Sequence, residues 1–315
     1  MTGLQNEPND LDRLAPGQMA PLIKFLRAQL DRRGLQKVQI IAPENASVDG
    51  TFTDALDAIK ADGATWNALG GIASHTYSMG ATPEATRRIE DAQGNLTKSY
   101  WMTEASANGP EKPGDTLRAA SLASRFLSDM NQGVTHWIHF IGFEAPDPND
   151  DATRILSFQS NPLRVTTFQK YWMYRQLSEA FPVGSVFRRC KNSLDGDMVW
   201  RYGKKPHLSV AAARQPNGSW SMALSNFTSP AFNNNRDDAN GPTGNGYENG
   251  FGTQNYTVKI RVPELTRPNA RFTLRRSHFN GAAQSEAETH IKNGAIEVTI
   301  GPLELVTLTS KPMKG

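Results

Sequence analysis

Two segments, Leu69-Gly-Gly-Ile-Ala-Ser-His75 and Ser99-Tyr-Trp-Met-Thr-Glu104, decide the fold that the sequence predicts. Each is a short, largely apolar run that ends in a polar side chain, which is typical of a buried β-strand. The stretch between them, Pro83–Asp91, has the pattern of an amphipathic helix. A strand, a helix and a second strand in succession favour parallel strands joined by a crossover helix.

The same alternation extends through the first 182 residues. Further strands are predicted at Met1–Asn6, Lys37–Ala42 and Thr135–Phe143, and further helices at Met19–Arg33, Thr53–Ala61, Asp115–Met130 and Arg164–Ala180. This part of the chain is therefore predicted to be an α/β domain built on a parallel sheet.

The composition changes at Phe181–Gly184, and residues 183–315 are predicted to form a small antiparallel β-sandwich. Its predicted strands are Met198–Tyr202, His207–Ala212, Trp220–Ser225, Tyr256–Val262, Arg271–Arg276, Ile296–Ile300 and Glu304–Ser310. The segment Phe232–Gly252 is rich in Asn, Asp and Gly and is predicted to be a long loop. Its oxygens could ligate calcium, although their spacing matches no defined calcium loop.

Composition and charge exclude several classes of protein. Charged residues make up 21% of the chain and the formal net charge is only +3. With no basic patch among aromatic residues, we expect no nucleic-acid partner. Cys190 is the single cysteine, so a disulfide framework and a cysteine zinc site are excluded within one chain. No apolar run reaches the ~20 residues of a membrane span, and no metal or other cofactor is predicted.

Two glutamates mark the candidate active site. Glu7 ends the first predicted strand and is followed by Pro8, which cannot donate to a sheet ladder. Glu104 ends the fourth. Active-site groups of parallel α/β folds gather at the carboxyl ends of the strands, so we expect the two side chains to meet there. Strand alternation places Tyr100 and Met102 on the face of Glu104, and Trp101 on the opposite face against the helices.

Such a pair fits the hydrolysis of glycosidic bonds. One carboxyl group protonates the leaving oxygen while a carboxylate attacks the anomeric carbon. A hydrogen-bond donor beside the attacking carboxylate keeps it ionised. His75 and Tyr77 are the candidates for this donor, since both lie at the end of the third predicted strand.

These motifs resemble those of glycoside hydrolase family 30, a group of clan A retaining β-glycosidases that includes glucosylceramidases and xylanases. Gln5-Asn6-Glu7-Pro8 is similar to the end of the family's fourth barrel strand, His75-Thr-Tyr77 to the sixth and Trp101-Met-Thr-Glu104 to the seventh. The resemblance implies a (β/α)8 TIM barrel followed by a β-sandwich. It also implies that Glu7 is the acid/base, that Glu104 is the nucleophile, that Asn6 binds the sugar 2-hydroxyl and that Tyr77 steadies Glu104.

The eighth strand departs from the family pattern, Trp-x-x-Trp-Asn. Trp137 matches the first tryptophan, but Phe140 and Ile141 stand where tryptophan and asparagine are expected. Trp137 and Phe140 are still expected to contact the sugar. Because residues expected at the floor of the sugar subsite are changed, the sequence does not predict which sugar or which linkage is recognised.

Met1 lies where the resemblance places the start of the fourth strand. Only strands 4 to 8 are then present, and we expect a barrel without its first three strands, completed by a complementary N-terminal segment or chain. By itself such a chain is expected not to be an active monomer, because its edge strands lack partners. The intact parent is expected to be secreted or periplasmic.

Two other functions remain open. The first is a non-catalytic carbohydrate-binding relic that keeps the carboxylates without turnover. The second is a metal-dependent hydrolase, which is disfavoured because His75, His136 and His139 are not expected to form a ligand set with nearby acids.

Overall fold

The computed structural model describes residues 1–10, 14–201, 205–228, 254–265, 270–277 and 284–311. The predicted loop Phe232–Gly252 lies outside the described residues. Residue contacts divide the chain into two compact units. The first consists of Met1–Ala105 and Gln132–His139, and the second of Ser106–Asn131 and Phe140–Gly315.

The first unit is built on a parallel sheet. Its strands are β1 (Ile40–Asn45), β2 (Leu69–His75), β3 (Ser99–Glu104) and β4 (His136–Trp137), and they are neighbours in that order. Its helices are α1 (Pro16–Arg32), α2 (Gly50–Lys60), α3 (Gly63–Ala68) and α4 (Pro83–Ile89). The predicted bounds of the second and third of these strands match the structure.

Local chemistry fixes where these helices begin. The Asp49 carboxylate accepts hydrogen bonds from the backbone N–H groups of Thr51 and Phe52 at the start of α2, and Asp62 caps α3 in the same way. Such caps satisfy N–H groups that the helix itself leaves unpaired. Helix α2 then packs on the sheet, where Phe52 stacks on Tyr100 of β3 with ring centroids 6.2 Å apart.

Two predicted strands of this unit are much shorter than expected. Met1–Asn6 forms only an isolated parallel bridge, between Thr2 and Ile40, because the backbone turns away and reaches a positive φ of 47° at Glu7. Thr135–Phe143 joins the parallel sheet only at His136–Trp137. Beyond that point the backbone N–H of Ile141 donates to the Thr153 carbonyl, within the second unit.

The second unit contains mainly antiparallel strands and two helices. Its helices are α5 (Leu117–Asn131) and α6 (Gln169–Ala180). Its strands are β5 (Phe143–Glu144), β6 (Leu156–Ser160), β7 (Leu163–Thr167), β8 (Val186–Arg188), β9 (Leu208–Arg214), β10 (Trp220–Asn226), β11 (Tyr256–Ile260), β12 (Arg271–Ser277), β13 (Gln284–His290), β14 (Ile296–Ile300) and β15 (Leu305–Ser310). They form a six-stranded sheet in the order β13-β12-β15-β10-β9-β8, a pair β11-β14 and a three-stranded sheet β5-β6-β7.

The six-stranded sheet is covered on both faces. Trp220, Met222 and Leu224 share one apolar cluster with residues of β14. Ala223 and the other small residues of the opposite face pack against α5 and α6, in a second cluster that includes Ala120, Ala123, Leu127, Met173, Leu177, Ala211 and Leu305. Two antiparallel sheets thus share a core, and both helices belong to the same compact unit as the larger sheet.

The contacts therefore divide the chain differently from the predicted boundary between residues 182 and 183, which stays a prediction. Other differences are local. Met198–Tyr202 is not a strand over its described residues, although Met198 and Trp200 are buried. Strands β6, β7, β8 and β13 were not predicted. Strand β7 occupies the start of the predicted helix Arg164–Ala180, and helix α6 begins only at Gln169. Among the described residues, no helix combines the length and apolarity that crossing a membrane would need.

Candidate active site

Three acidic side chains and one histidine meet at the carboxyl end of the parallel sheet. Glu44 lies near the end of β1, His75 ends β2 and Glu104 ends β3. Glu7 follows the short bridge beside β1. These positions agree with the expectation that the carboxyl ends of parallel strands gather active-site groups.

The histidine lies between the carboxylates. His75 is 1% exposed, and its Nδ1 is 2.7 Å from Glu7 Oε1 and 3.9 Å from Glu104 Oε1. One carboxylate oxygen of each glutamate and a ring nitrogen of His75 all lie within 4.8 Å of one another. The Glu7 and Glu104 side chains keep 13% and 20% of their surface exposed, so a ligand can reach them.

Tyr77 joins this group through Glu104. Its hydroxyl donates a hydrogen bond to Glu104 Oε1, and its ring meets that of His75 edge to face, with centroids 5.8 Å apart. The backbone of Tyr77 is held by a hydrogen bond from its N–H to the Ala46 carbonyl, 3.1 Å long. Both predicted donors, His75 and Tyr77, therefore lie beside the glutamates.

An irregularity in the sheet turns two consecutive residues towards the site. The pairing of β2 with β3 shifts between Ser74 and His75, so His75 stands opposite Glu104. Thr103 and Glu104 then both reach the site, and the Thr103 hydroxyl donates to Glu44 Oε2 at 3.2 Å. Simple alternation would have sent these two side chains to opposite faces.

The prediction that the Trp101 side chain of β3 faces the helices is wrong. Tyr100 is the residue that faces helix α2, through its stack on Phe52. Trp101 instead stacks on His136 of β4, with ring centroids 3.5 Å apart and planes 3° from parallel. The side of β3 that carries Trp101 is therefore the side of Thr103, away from α2.

Glu44 is the site residue that the sequence analysis missed. It is 9% exposed, and its Oε1 is buried without a hydrogen-bond partner among the described residues. Its backbone carbonyl accepts a 3.0 Å hydrogen bond from the Glu7 N–H. Both glutamates have a positive φ, 67° at Glu44 and 47° at Glu7, a conformation that is uncommon outside glycine and concentrates at functional sites.

The surroundings of His75 decide its charge. Burial lowers the pKa of the ring, but the neighbouring carboxylates of Glu44, Glu7 and Glu104 raise it more, so the net pKa is above the ordinary value. Carboxylates on several sides favour the charged imidazolium. The ring therefore keeps its second proton to a higher pH than a free histidine and offsets part of the negative charge of the three glutamates.

The expectation that His75, His136 and His139 form no ligand set with nearby acids needs correction for His75, which lies beside Glu7 and Glu104. Glu7, His75 and Glu104 lie close enough together for a cation to be considered, but His75 and Glu7 bond directly to each other, and the raised pKa of His75 opposes the neutral ring that a metal ion needs. His136 lies elsewhere, with its Nδ1 2.9 Å from the Thr135 hydroxyl.

Three further predicted site residues differ in exposure and in the unit to which they belong. Asn6 is exposed beside Glu7 in the chain. Trp137 is partly buried in β4 opposite Met102. Phe140 belongs to the second unit, where it is 45% exposed. The roles of all three stay predictions.

The fold is similar to those of known glycoside hydrolases. The structure of the family 30 subfamily 8 xylanase Xyn30A from Clostridium acetobutylicum matches 98% of this chain with a TM-score of 0.63 and 16% identity. A conserved exported protein from Bacteroides fragilis matches with a TM-score of 0.56 and 9% identity, over 98% of this chain and 64% of its own. A family 51 arabinofuranosidase from Xanthomonas axonopodis pv. citri gives 0.59 and 12%, over 98% of this chain and 66% of its own.

These likenesses establish the class of fold. It is a mixed α/β fold with a parallel sheet, like that of family 30 xylanases and related TIM-barrel glycoside hydrolases. The chain spans 65% of the length of Xyn30A. No family model and no curated protein sequence matches this sequence. Over the described residues the parallel sheet has four strands and does not close into a barrel.

Proposed function

We propose that this chain carries the catalytic glutamates of a family 30-like retaining β-glycosidase acting on a β-linked glycan or glycoconjugate. The observation that carries the proposal is the separation of Glu7 and Glu104, whose nearest carboxylate oxygens lie within 4.8 Å. Retaining enzymes hold their two carboxyl groups about 5–5.5 Å apart, whereas inverting enzymes leave about 6.5–9.5 Å for a water molecule.

In this mechanism Glu104 is the nucleophile. One of its carboxylate oxygens bonds to the anomeric carbon while the glycosidic C–O bond breaks, which leaves a covalent glycosyl-enzyme. The hydrogen bond from Tyr77 supports this role, because a donor to a carboxylate stabilises its ionised, nucleophilic form. Asn6 would bind the sugar 2-hydroxyl, and Trp137 and Phe140 would contact the ring.

Glu7 is the acid/base. In the first step it gives a proton to the leaving oxygen, and in the second it takes a proton from the water molecule that displaces Glu104. His75 supports the exchange, since its Nδ1 contacts Glu7 Oε1 at 2.7 Å and a ring proton can pass to the carboxylate there. No metal or other cofactor takes part.

The intact protein is proposed to work outside the cytoplasm, and one neighbour of similar fold is described as exported. A complementary N-terminal segment or chain is proposed as a partner, since the sheet of the described residues is open. The same openness supports the competing function, carbohydrate binding without turnover. Saturable binding of a xylooligosaccharide with no release of product would favour that alternative.

The stereochemistry of the reaction tests the retaining mechanism. Proton NMR of the anomeric signals during hydrolysis of an aryl β-glycoside should show the β-anomer of the sugar first, followed by slow mutarotation to the α-anomer. The α-anomer as the first product would exclude double displacement through Glu104.

A further inference from the structure

We propose that Glu44 is a positioning residue that holds His75 as a hydrogen-bond donor towards Glu7. Its effect on His75 is independent of the reaction, and only its consequence for catalysis rests on the proposed function. Glu44 is absent from the motifs that identified the other site residues, so its role comes from the structure alone.

The contacts of Glu44 all lead to the site. Its Oε2 lies 3.7 Å from His75 Nε2 and accepts the 3.2 Å hydrogen bond from the Thr103 hydroxyl. Its backbone carbonyl accepts the N–H of Glu7. A Cβ atom added at Gly3 would lie 3.3 Å from Glu44 Cγ, so the glycine leaves room for the Glu44 side chain beside the site.

The two ring nitrogens of His75 face different carboxylates. Nδ1 meets Glu7 and Nε2 meets Glu44. A neutral imidazole has one N–H and one lone pair, so it can direct an N–H at only one of them, whereas the imidazolium directs an N–H at each. Glu44 therefore favours the state of the ring in which Nδ1 keeps a proton directed at Glu7.

The groups around His75 show which of them can set its charge. Glu7, Glu44 and Glu104 approach it from three segments of the chain, and the Tyr77 ring lies edge to face with it. Glu7 and Glu104 are proposed to change their charge or bonding during the reaction. Glu44 is the acidic neighbour without such a role, and it can hold the ring throughout the cycle.

The test is a titration of His75 by NMR in the full chain. Protein labelled with ¹⁵N-histidine contains six histidines, and the His75 signal is assigned from its loss in His75→Gln. Glu44→Gln keeps the shape of the side chain and removes its charge. We expect the measured pKa of His75 to fall by about one pH unit or more, the usual effect of a close opposite charge.

Glu84→Gln is the matched control, because Glu84 lies on α4 of the same unit and pairs with Arg88 at the surface. It should leave the titration of His75 unchanged. Thr103→Val removes the hydroxyl that fixes Glu44 Oε2, so it should lower the same pKa by a smaller amount. If Glu44→Gln does not fold, the titration of His75 in Thr103→Val tests the proposal instead. An unchanged His75 titration in every folded variant would overturn the proposal.

Kinetics separate this proposal from the proposed function. If both hold, the alkaline limb of kcat/KM moves to lower pH in Glu44→Gln, because His75 loses its proton earlier. If the protein has no glycosidase turnover but His75 titrates as expected, the proposed function fails and the role of Glu44 in holding the ring stands. A shift of the alkaline limb with no change in the His75 titration would contradict the role assigned to Glu44.

Discussion

Glu7 and Glu104 are chemically identical side chains with different neighbours. Glu104 accepts a hydrogen bond from the Tyr77 hydroxyl, whereas Glu7 meets a histidine whose pKa is raised. A phenol steadies an attacking carboxylate without exchanging protons near neutral pH, since its ordinary pKa is about 10. An imidazole exchanges protons readily in that range, which suits an acid/base.

Substitution of Glu7 should affect substrates according to their leaving groups. Glu7→Ala should reduce kcat/KM for substrates with poor leaving groups by about 100-fold or more, the usual contribution of general acid catalysis. Activated aryl glycosides should lose much less in the first step, because their departure needs little protonation. Azide should restore turnover and give a β-glycosyl azide.

The exposed Glu84→Ala is the control for the Glu7 variant and should behave as the wild type. Equal losses on both kinds of substrate, with no rescue by azide, would show that Glu7 has a structural role instead.

Sequence reasoning found most of this site, for an identifiable reason. Glu7, His75 and Glu104 each lie at the end of a predicted strand, and the end of such a strand can be identified from the sequence. Glu44 follows the same rule, but the predicted strand stopped at Ala42, whereas the real one continues to Asn45. The bond between Thr103 and Glu44 depends on a shift in strand pairing that no pattern along one chain records.

At the scale of elements, apolar periodicity determined what could be predicted. Strands β2 and β3 are apolar runs that each end in a polar residue, and they were placed correctly. Strand β13, Gln284–His290, has almost no apolar residues and was missed. It pairs with β12 and is supported by contacts between opposite charges, such as the 3.0 Å pair of Arg275 and Glu286. Such cross-strand pairs stabilise a sheet without an apolar pattern.

Helix α6 carries a buried charge whose pairing should govern the stability of the second unit. Lys170 and Glu111 form a fully buried ion pair, and Lys170 Nζ also donates to the Ala152 carbonyl at 2.9 Å. Burial raises the pKa of Glu111 to about 7 although Lys170 opposes the shift. Desolvation of this pair is therefore costly, and each group depends on the other.

We predict that Lys170→Met destabilises the chain by about 3–5 kcal/mol in urea unfolding, because it leaves Glu111 buried without its cation. The double variant Lys170→Met, Glu111→Gln should lose less than the sum of the single losses. The surface pair Arg175–Glu179 on the same helix is the control. Arg175→Met should cost about 0.5 kcal/mol or less. Additive losses at Lys170 and Glu111 would contradict the coupling.

At the scale of the whole molecule, the predicted boundary near residue 182 and the observed units differ because of how α5 packs. Its Ala120 and Ala123 face small residues such as Ala223 on the antiparallel sheet. An amphipathic pattern shows that a helix has a face to bury, but it does not show which sheet receives that face. The alternation of strands and helices therefore predicted the parallel sheet correctly and did not predict the grouping of α5 and α6.

Covalent labelling of Glu104 is the measurement that tests the proposed catalysis most directly. The protein should be taken in the form that hydrolyses an aryl β-glycoside, either the chain itself or the chain with a complementary N-terminal polypeptide. It is incubated with a 2-deoxy-2-fluoro-β-glycoside, digested with trypsin and analysed by mass spectrometry. We predict an adduct on Glu104 that is absent in Glu104→Gln. The tryptic peptide Ser99–Arg118 also contains Glu111, so fragmentation must locate the sugar. An adduct on Glu7, Glu44 or any other carboxylate, or hydrolysis that continues with no adduct, would contradict the assignment.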